Sequence, residues 1–465
     1  MKRLSKNIAS IGGSDLVRKL FGFLAVTYLT RHIGVSDFGI VSFAFTILSY
    51  TLIFSASGLP TLGMRETARS PSYTLIGEVL TTRLMLAILF TLIACGLTFL
   101  LVKNPLEASV IMLIALSAIP NAMFLDWYFQ GKEAMSIIGI ARGVGALMNF
   151  LVIILFVKSS LNLAWVAFAA YASDFSACML YIIFARKELS HVSLTFHLSK
   201  SWSLLKQALP IGIGSIFALI SVNFAPLILG IFLTTRSVGL FSAASKLVFF
   251  LMLFDRVLGS ILLPASSRIF SQQPEQFRQR LEESLKWVFL IALPICAGGS
   301  LLSSQIIQFI FGSQYVAAAP VFSVLIWFLL LTMLQTVFNV GLVAAGKEKE
   351  YAKVMGIGMV LYLVFVLVGS LTLGEFGAAI GFVLAEGIAV LIARFKLSQV
   401  VDLKFPRAVL QIILAVLLML VAIRFLPEMH IIVLIAVGVF VYGIGSLLFR
   451  SVTISELQLL RNRVW

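Results

Sequence analysis

The chain has 465 residues, of which 60% are hydrophobic and only 12% charged, whereas a soluble domain is about half apolar and about a quarter charged. With a mean hydropathy of +1.06 and no stretch long and polar enough to fold apart, the composition excludes a soluble enzyme or binding module. The net charge of +15 accompanies no basic helix or aromatic-basic module, so nucleic acid is not an expected partner.

A membrane span needs about twenty mainly apolar residues. Lys2, Arg3 and Lys6 precede the first apolar run in the manner of a secretory signal. Asp15, Arg18 and Lys19 interrupt that run and no small-residue cleavage site follows, so it reads as a retained first helix. In chain order, spans start near Ala9, Phe38, Val79, Ala108, Ile137, Leu163, Ala208, Val238, Trp287, Ala317, Val354, Phe376, Ala408 and Ile431, fourteen in all. A tight break at Leu373-Gly374-Glu375 separates the eleventh from the twelfth. With the N-terminus inside, 24 of the 35 Lys and Arg fall in inner segments and 5 in outer ones. That asymmetry predicts both termini on the cytoplasmic side, and it makes the positive surplus a feature facing the anionic inner leaflet. Cys95, Cys178 and Cys296 lie in apolar segments without a CxxC pair, which points to packing rather than a disulfide framework or zinc site.

The chain repeats itself. Phe38-Gly39-Ile40-Val41-Ser42-Phe43-Ala44 and Val238-Gly239-Leu240-Phe241-Ser242-Ala243-Ala244 are offset by 200 residues, each following a short turn with an Arg (Arg31, Arg236). Gly131-Lys132-Glu133 is echoed by Gly346-Lys347-Glu348, and Asp174 by Glu386. Three echoes in order predict two six-helix repeats. Six is even, so both copies insert the same way, as a parallel repeat about an axis along the membrane normal. The fold class expected is all-α integral membrane, about fourteen transmembrane helices. Its domains are a six-helix lobe over 1–190, a cytoplasmic linker over 191–207, a second lobe over 208–397, and two additional helices with a tail over 398–465.

The stretch from Arg31 to Gly39 (RHIGVSDFG), then Ser57-Gly58-Leu59-Pro60 and Arg65-Glu66, resembles the start of bacterial polysaccharide flippases of the O-antigen translocase type. These belong to the multidrug/oligosaccharidyl-lipid/polysaccharide exporter superfamily. Gly131-Lys132-Glu133 is similar to that family too, and helix count, duplication and loop lengths extend the likeness over nearly the whole chain. The resemblance implies two six-helix lobes arranged as a V, with the last two helices helping to accommodate a lipid tail. It implies transport of undecaprenyl-diphosphate-linked oligosaccharide from the inner to the outer leaflet of the bacterial cytoplasmic membrane, for O-antigen, capsule or exopolysaccharide. Membrane lipids are the surroundings, and a polysaccharide polymerase with its chain-length machinery are expected partners.

Eleven ionisable residues lie inside apparent spans: Asp15, Arg18, Lys19, Arg83, Asp126, Arg142, Asp174, Lys246, Asp255, Arg256 and Glu386. Each charge at the bilayer centre costs about 2.5–3.5 kcal/mol on the insertion scale, ~30 kcal/mol for the set. Most must therefore face a protein interior or a wet cavity. Asp15, Arg18 and Lys19 share one helical face, as a cationic head-group site or as a self-neutralised buried face. A diphosphate needs charge-assisted donors, and Arg matches phosphate oxygens best. Lys246 and Arg256 lie roughly 80° apart at 100° per residue and can border one cavity from different depths, with Arg256 the leading phosphate or acidic-sugar contact and an ion pair between lobes the competing reading. Arg142 is expected to line a cavity, whereas snorkelling accounts for Arg83. The substrate-binding candidates are Arg18, Lys19, Arg142, Lys246 and Arg256. The ion-coupling candidates are Asp15, Asp126, Asp174, Asp255 and Glu386, or else structural partners of neighbouring basic residues.

No catalytic group, cofactor or metal is expected. The stretch from Gly341 to Glu348 (GLVAAGKE) falls short of a phosphate loop because Glu stands where Ser or Thr must reach magnesium. Outward connections of about four to seven residues are too short for a catalytic loop. The rival to the flippase reading is a proton- or sodium-coupled drug or metabolite exporter of the same superfamily.

Overall fold

Ser57 and Gly58, two successive residues with positive φ (42° and 81°), end the first complete pass. The computed structural model describes residues 18–70, 72–194, 196–270, 273–404, 408–427 and 429–452, and every regular element among them is helical. These are α1 (18–32), α2 (Val35–Ala56), α3 (Leu59–Arg69), α4 (Tyr73–Leu101), α5 (Pro105–Ala115), α6 (Ala118–Ala122), α7 (Asp126–Gly131), α8 (Met135–Phe156), α9 (Ala164–Phe184) and α10 (Arg186–Leu189). There follow α11 (Leu198–Phe232), α12 (Thr235–Leu251), α13 (Leu253–Ile269), α14 (Pro274–Leu301), α15 (Ser303–Phe311), α16 (Ala319–Leu325), α17 (Trp327–Ala344), α18 (Glu348–Ser398), α19 (Ala408–Phe425) and α20 (Ile431–Leu448).

Among the described residues, eleven helical segments are long and apolar enough to cross a membrane, so this is a multi-pass membrane protein. The expected fourteen differ from these at three places. The described part of α1 starts at 18, α11 contributes only the shorter apolar stretch Val222–Phe232, and α18 counts once although it holds two arms. The second arm begins at the expected break, where Gly374 (φ 63°, ψ −142°) leaves helical geometry. A Cβ on Gly369 would stand 2.7 Å from the Gly377 carbonyl carbon, and one on Gly381 2.6 Å from that of Phe365. The arms therefore run back along each other in backbone contact.

The second predicted span is α2, and past the Ser57-Gly58 turn Pro60 stands at the start of α3, where a missing N–H is harmless. Others are composite. The fourth, Pro105–Gly131, is three pieces: α5, capped by the Asn104 side chain on Leu106 N, then α6 and α7. The tenth includes α16 and α17. Polar hydroxyls within these apolar helices bond their own backbone, as Thr46 does to Ser42 O and Thr98 to Ala94 O, which satisfies them without water.

Tertiary contacts divide the chain into two units, one up to Ser242 and one from Ala243. In the first unit the 200-residue echo has a physical meaning. A Cβ on Gly39 would collide with the Thr235 carbonyl, and a Cβ on Gly239 with the Val35 carbonyl. The starts of α2 and α12 thus cross reciprocally, each glycine against the other helix's backbone. The core of this unit runs through α3, α4, α7, α9 and α11, with Trp127, Tyr128 and Tyr181 almost fully enclosed. In the second unit α19 and α20 pack on α14, where Tyr442 donates to Leu290 O at 2.7 Å.

The second echo keeps its function with a shifted register. Ala134 N donates to Phe129 O and Lys347 N to Leu342 O, and the left-handed residue is Glu133 (φ 58°) in one and Gly346 (φ 67°) in the other. Both are the same helix-ending device, displaced by two residues relative to the matching letters.

Candidate functional site

In the first unit three helices open a cleft of about 320 Å³. Arg18, Lys19 and Gly22 line it from α1, Arg142, Gly145, Ala146 and Asn149 from α8, and Ser173, Asp174 and Ala177 from α9. The α8 residues fall at i, i+3, i+4 and i+7, one face of a helix. Gly145 lets α9 come close, since a Cβ there would stand 2.9 Å from Ser173 O. Phe124, in the break between α6 and α7, closes the base.

Arg142 is the centre of this cleft. Its Nη2 donates to Asp126 Oδ2, and its guanidinium carbon sits 4.7 Å from the centre of the Phe124 ring. Asp174 has the Asn121 amide and Arg142 as polar neighbours. The cleft and its base therefore hold three cations (Arg18, Lys19, Arg142) against two carboxylates (Asp126, Asp174), with neutral donors at Asn149 and Ser173. An anion entering here meets a guanidinium fork already oriented by a carboxylate and an aromatic ring, the arrangement suited to a phosphate group. Asp15 lies outside the described residues.

Arg83 does not snorkel. It is 7% exposed, and its Nη1 donates to Phe124 O at 2.9 Å and its Nη2 to Asn121 O at 3.2 Å. The reason is the broken helix: Tyr128 N turns back to Leu125 O, so Phe124 O has no helical donor and draws one from Arg83.

The second unit holds a separate polar cluster. Thr336 on α17 donates to Asp255 Oδ1 at 2.7 Å, and Arg256 is the exposed neighbour of Asp255. Glu386, on the second arm of α18, lies beside Thr332 and Asp255, and its Oε1 is buried without a hydrogen-bond partner among the described residues. The two carboxylates that echo each other in the sequence thus have different surroundings: Asp174 faces a guanidinium, Glu386 another carboxylate and the Thr332 hydroxyl. Lys246, half-buried on α12, is in neither cluster. Sequence reasoning missed the neutral members, Asn121, Asn149, Ser173, Thr332 and Thr336. The i, i+4 spacing of the two threonines inside an apolar helix is a signal that was there to read.

Residues 4–270 match the family model described as "Polysaccharide biosynthesis protein". The chain belongs to the polysaccharide biosynthesis protein family. Among curated proteins, this family member is 22% identical over 405 residues to a Shigella dysenteriae protein named "Putative O-antigen transporter", covering 85% of this chain and 100% of that one. It is 27% identical over 179 residues, 38% of each chain, to the "Probable low-salt glycan biosynthesis flippase Agl15" of Haloferax volcanii. Among solved structures, the lipid II flippase MurJ in an inward closed conformation superposes with TM-score 0.73 at 14% identity, covering 94% of this chain and 98% of that one. An inward-facing multidrug resistance MATE transporter of the MOP superfamily gives TM-score 0.64 at 16% identity, with 82% and 95% covered. The polysaccharide biosynthesis family member therefore has the fold of that superfamily.

Proposed function

We propose that this protein flips undecaprenyl-diphosphate-linked oligosaccharide units from the inner to the outer leaflet of a bacterial cytoplasmic membrane, supplying O-antigen, capsule or exopolysaccharide synthesis. The observation that carries the reading is the convergence of Arg18, Lys19 and Arg142 on one cleft beside Asn149 and Ser173. A diphosphate needs several charge-assisted donors at once, and a sugar needs neutral ones beside them. The names of the curated relatives, an O-antigen transporter and a glycan flippase, support the same substrate class.

The transport cycle is alternating access between two six-helix lobes, 1–190 and 208–397, joined by the linker 191–207, with the helices in 398–465 serving the lipid tail. Both termini are cytoplasmic, in keeping with the 24 to 5 division of Lys and Arg. An ion gradient drives the cycle. The Asp255–Thr336 and Glu386–Thr332 groups are the coupling carboxylates, since carboxylates inside membrane spans mark ion pathways and proton relays. Asp126 and Asp174 set the charge of the cleft itself. Lys246 and Arg256 are the second unit's candidate contacts for phosphate or an acidic sugar. The sugar polymerase and chain-length machinery receive the product.

Deletion of the gene tests this. Lipid-linked oligosaccharide should accumulate on the cytoplasmic face and surface polysaccharide should fall. A clean deletion that leaves both unchanged, with no second flippase present, refutes the assignment.

A further inference from the structure

We propose that Arg83 is a positioning residue for the cleft, fixing the break between α6 and α7 and through it the angle at which Asp126 meets Arg142. The inference rests on the reading of that cleft as the head-group site.

The geometry begins with a helix that cannot continue. Pro120 and the turn at Met123-Phe124-Leu125 split the span Pro105–Gly131, and Phe124 N and Tyr128 N close three-residue turns on Asn121 O and Leu125 O. Inside a membrane such a break persists only where another group satisfies its backbone. Arg83, on the neighbouring α4, supplies two donors in one rigid fork, to Phe124 O and to Asn121 O. These two residues and the one that starts α7 touch the cleft's charged groups: Asn121 faces Asp174, the Phe124 ring lies against Arg142, and Asp126 pairs with Arg142. Arg83 touches none of the space a ligand would enter, being absent from the cleft lining and almost fully buried. Its Nε has no hydrogen-bond partner among the described residues, so the side-chain hydrogen bonds of Arg83 go to the two carbonyls of the break, with the Asp126 carboxylate as a favourable charge nearby. A lysine at this position keeps the charge but has no planar fork to span two carbonyls.

The test uses the full-length protein in lipid nanodiscs and proteoliposomes, with Arg83→Lys, Arg83→Met and Asp126→Asn alone and combined. Hydrogen exchange in peptides covering 118–131 should speed up by about tenfold or more in Arg83→Met, the loss expected for a charge-assisted bond to a backbone carbonyl, and by less in Arg83→Lys. Peptides from α9 should keep their rates. Flipping of undecaprenyl-diphosphate oligosaccharide should fall in both variants at matched abundance. The combination with Asp126→Asn should be no worse than Asp126→Asn alone, because both act on the same contact. Unchanged exchange over 118–131, or effects that simply multiply, would overturn the proposal. If Arg83→Met does not accumulate, Arg83→Lys carries the same two readouts. If Asp126→Asn and Arg142→Gln leave flipping intact, the head-group reading fails, while the exchange rates still decide whether Arg83 sets the break.

Discussion

Replacing Gly39 with alanine places a methyl group where no side chain can yield. The new Cβ would overlap the Thr235 carbonyl oxygen, stand 2.6 Å from its carbon and 3.1 Å from Gly239 N. All three atoms are backbone, so relief requires the α2 and α12 starts to separate. Around them Phe38, Val238 and Phe241 are 0–1% exposed, so the separation opens a packed core. Overpacking of this kind costs about 1–3 kcal/mol. In a protein of this size that is a fall in apparent melting temperature of roughly 2–6 °C, scaling from about 2–4 °C per kcal/mol in smaller domains. Gly96→Ala and Gly143→Ala are the internal controls, since a Cβ at either meets nothing within 4 Å and alanine favours a helix by up to about 1 kcal/mol. The assay is thermal denaturation of the purified protein in detergent, read by tryptophan fluorescence. Gly239→Ala should match Gly39→Ala, and the pair should cost less than the sum because one separation serves both. If Gly39→Ala melts with Gly96→Ala, the reciprocal crossing is wrong.

Two further outcomes follow from local geometry. Gly374→Ala forces a side chain into φ 63°, ψ −142°, a region that is essentially glycine's alone and costs about 1–3 kcal/mol; the same melting assay should show a drop, and an unchanged melt would place the arm junction elsewhere. Lys132 donates to Glu188 at 2.7 Å, and this bond holds the Glu188 carboxyl below its ordinary 4.5. The folded value is the lower one, so the pair stabilises above about pH 4.5 and is lost as pH falls through the folded value. For a solvent-exposed pair the contribution is at most about 1 kcal/mol. Glu188→Gln should therefore lower the melting temperature slightly at pH 7–8, where the pair is fully formed, and converge on wild type along the acid limb.

Hydropathy runs marked where helices lie, because lipid demands some twenty apolar residues wherever the chain crosses. They could not mark the breaks inside those runs. Ser57-Gly58 is only weakly visible and Met123-Phe124-Leu125 not at all, since the interruption changes backbone angles without changing composition. The same limit misplaced Arg83. Its distance from the inner end suggested snorkelling, and only the stranded carbonyl of Phe124, with Asn121 O beside it, shows why it is buried. That charges gather was readable from their cost in lipid. Which charges meet was not: the partners of Arg142 come from spans four and six, and the neighbours of Glu386 are the Thr332 hydroxyl and the Asp255 carboxylate, which no periodicity pairs in advance. The Gly39 and Gly239 echo was the exception, a repeat in the letters that is also a contact.

The most direct test of the account is the rate at which purified protein in proteoliposomes moves a fluorescent undecaprenyl-diphosphate oligosaccharide between leaflets. Wild type should accelerate transfer well above protein-free liposomes. Arg18→Gln combined with Lys19→Gln, which removes two of the cleft's three cations, should raise the half-saturating lipid concentration, and Arg142→Gln should abolish transfer. Transfer no faster than in empty liposomes, or a cleft variant indistinguishable from wild type, would contradict it.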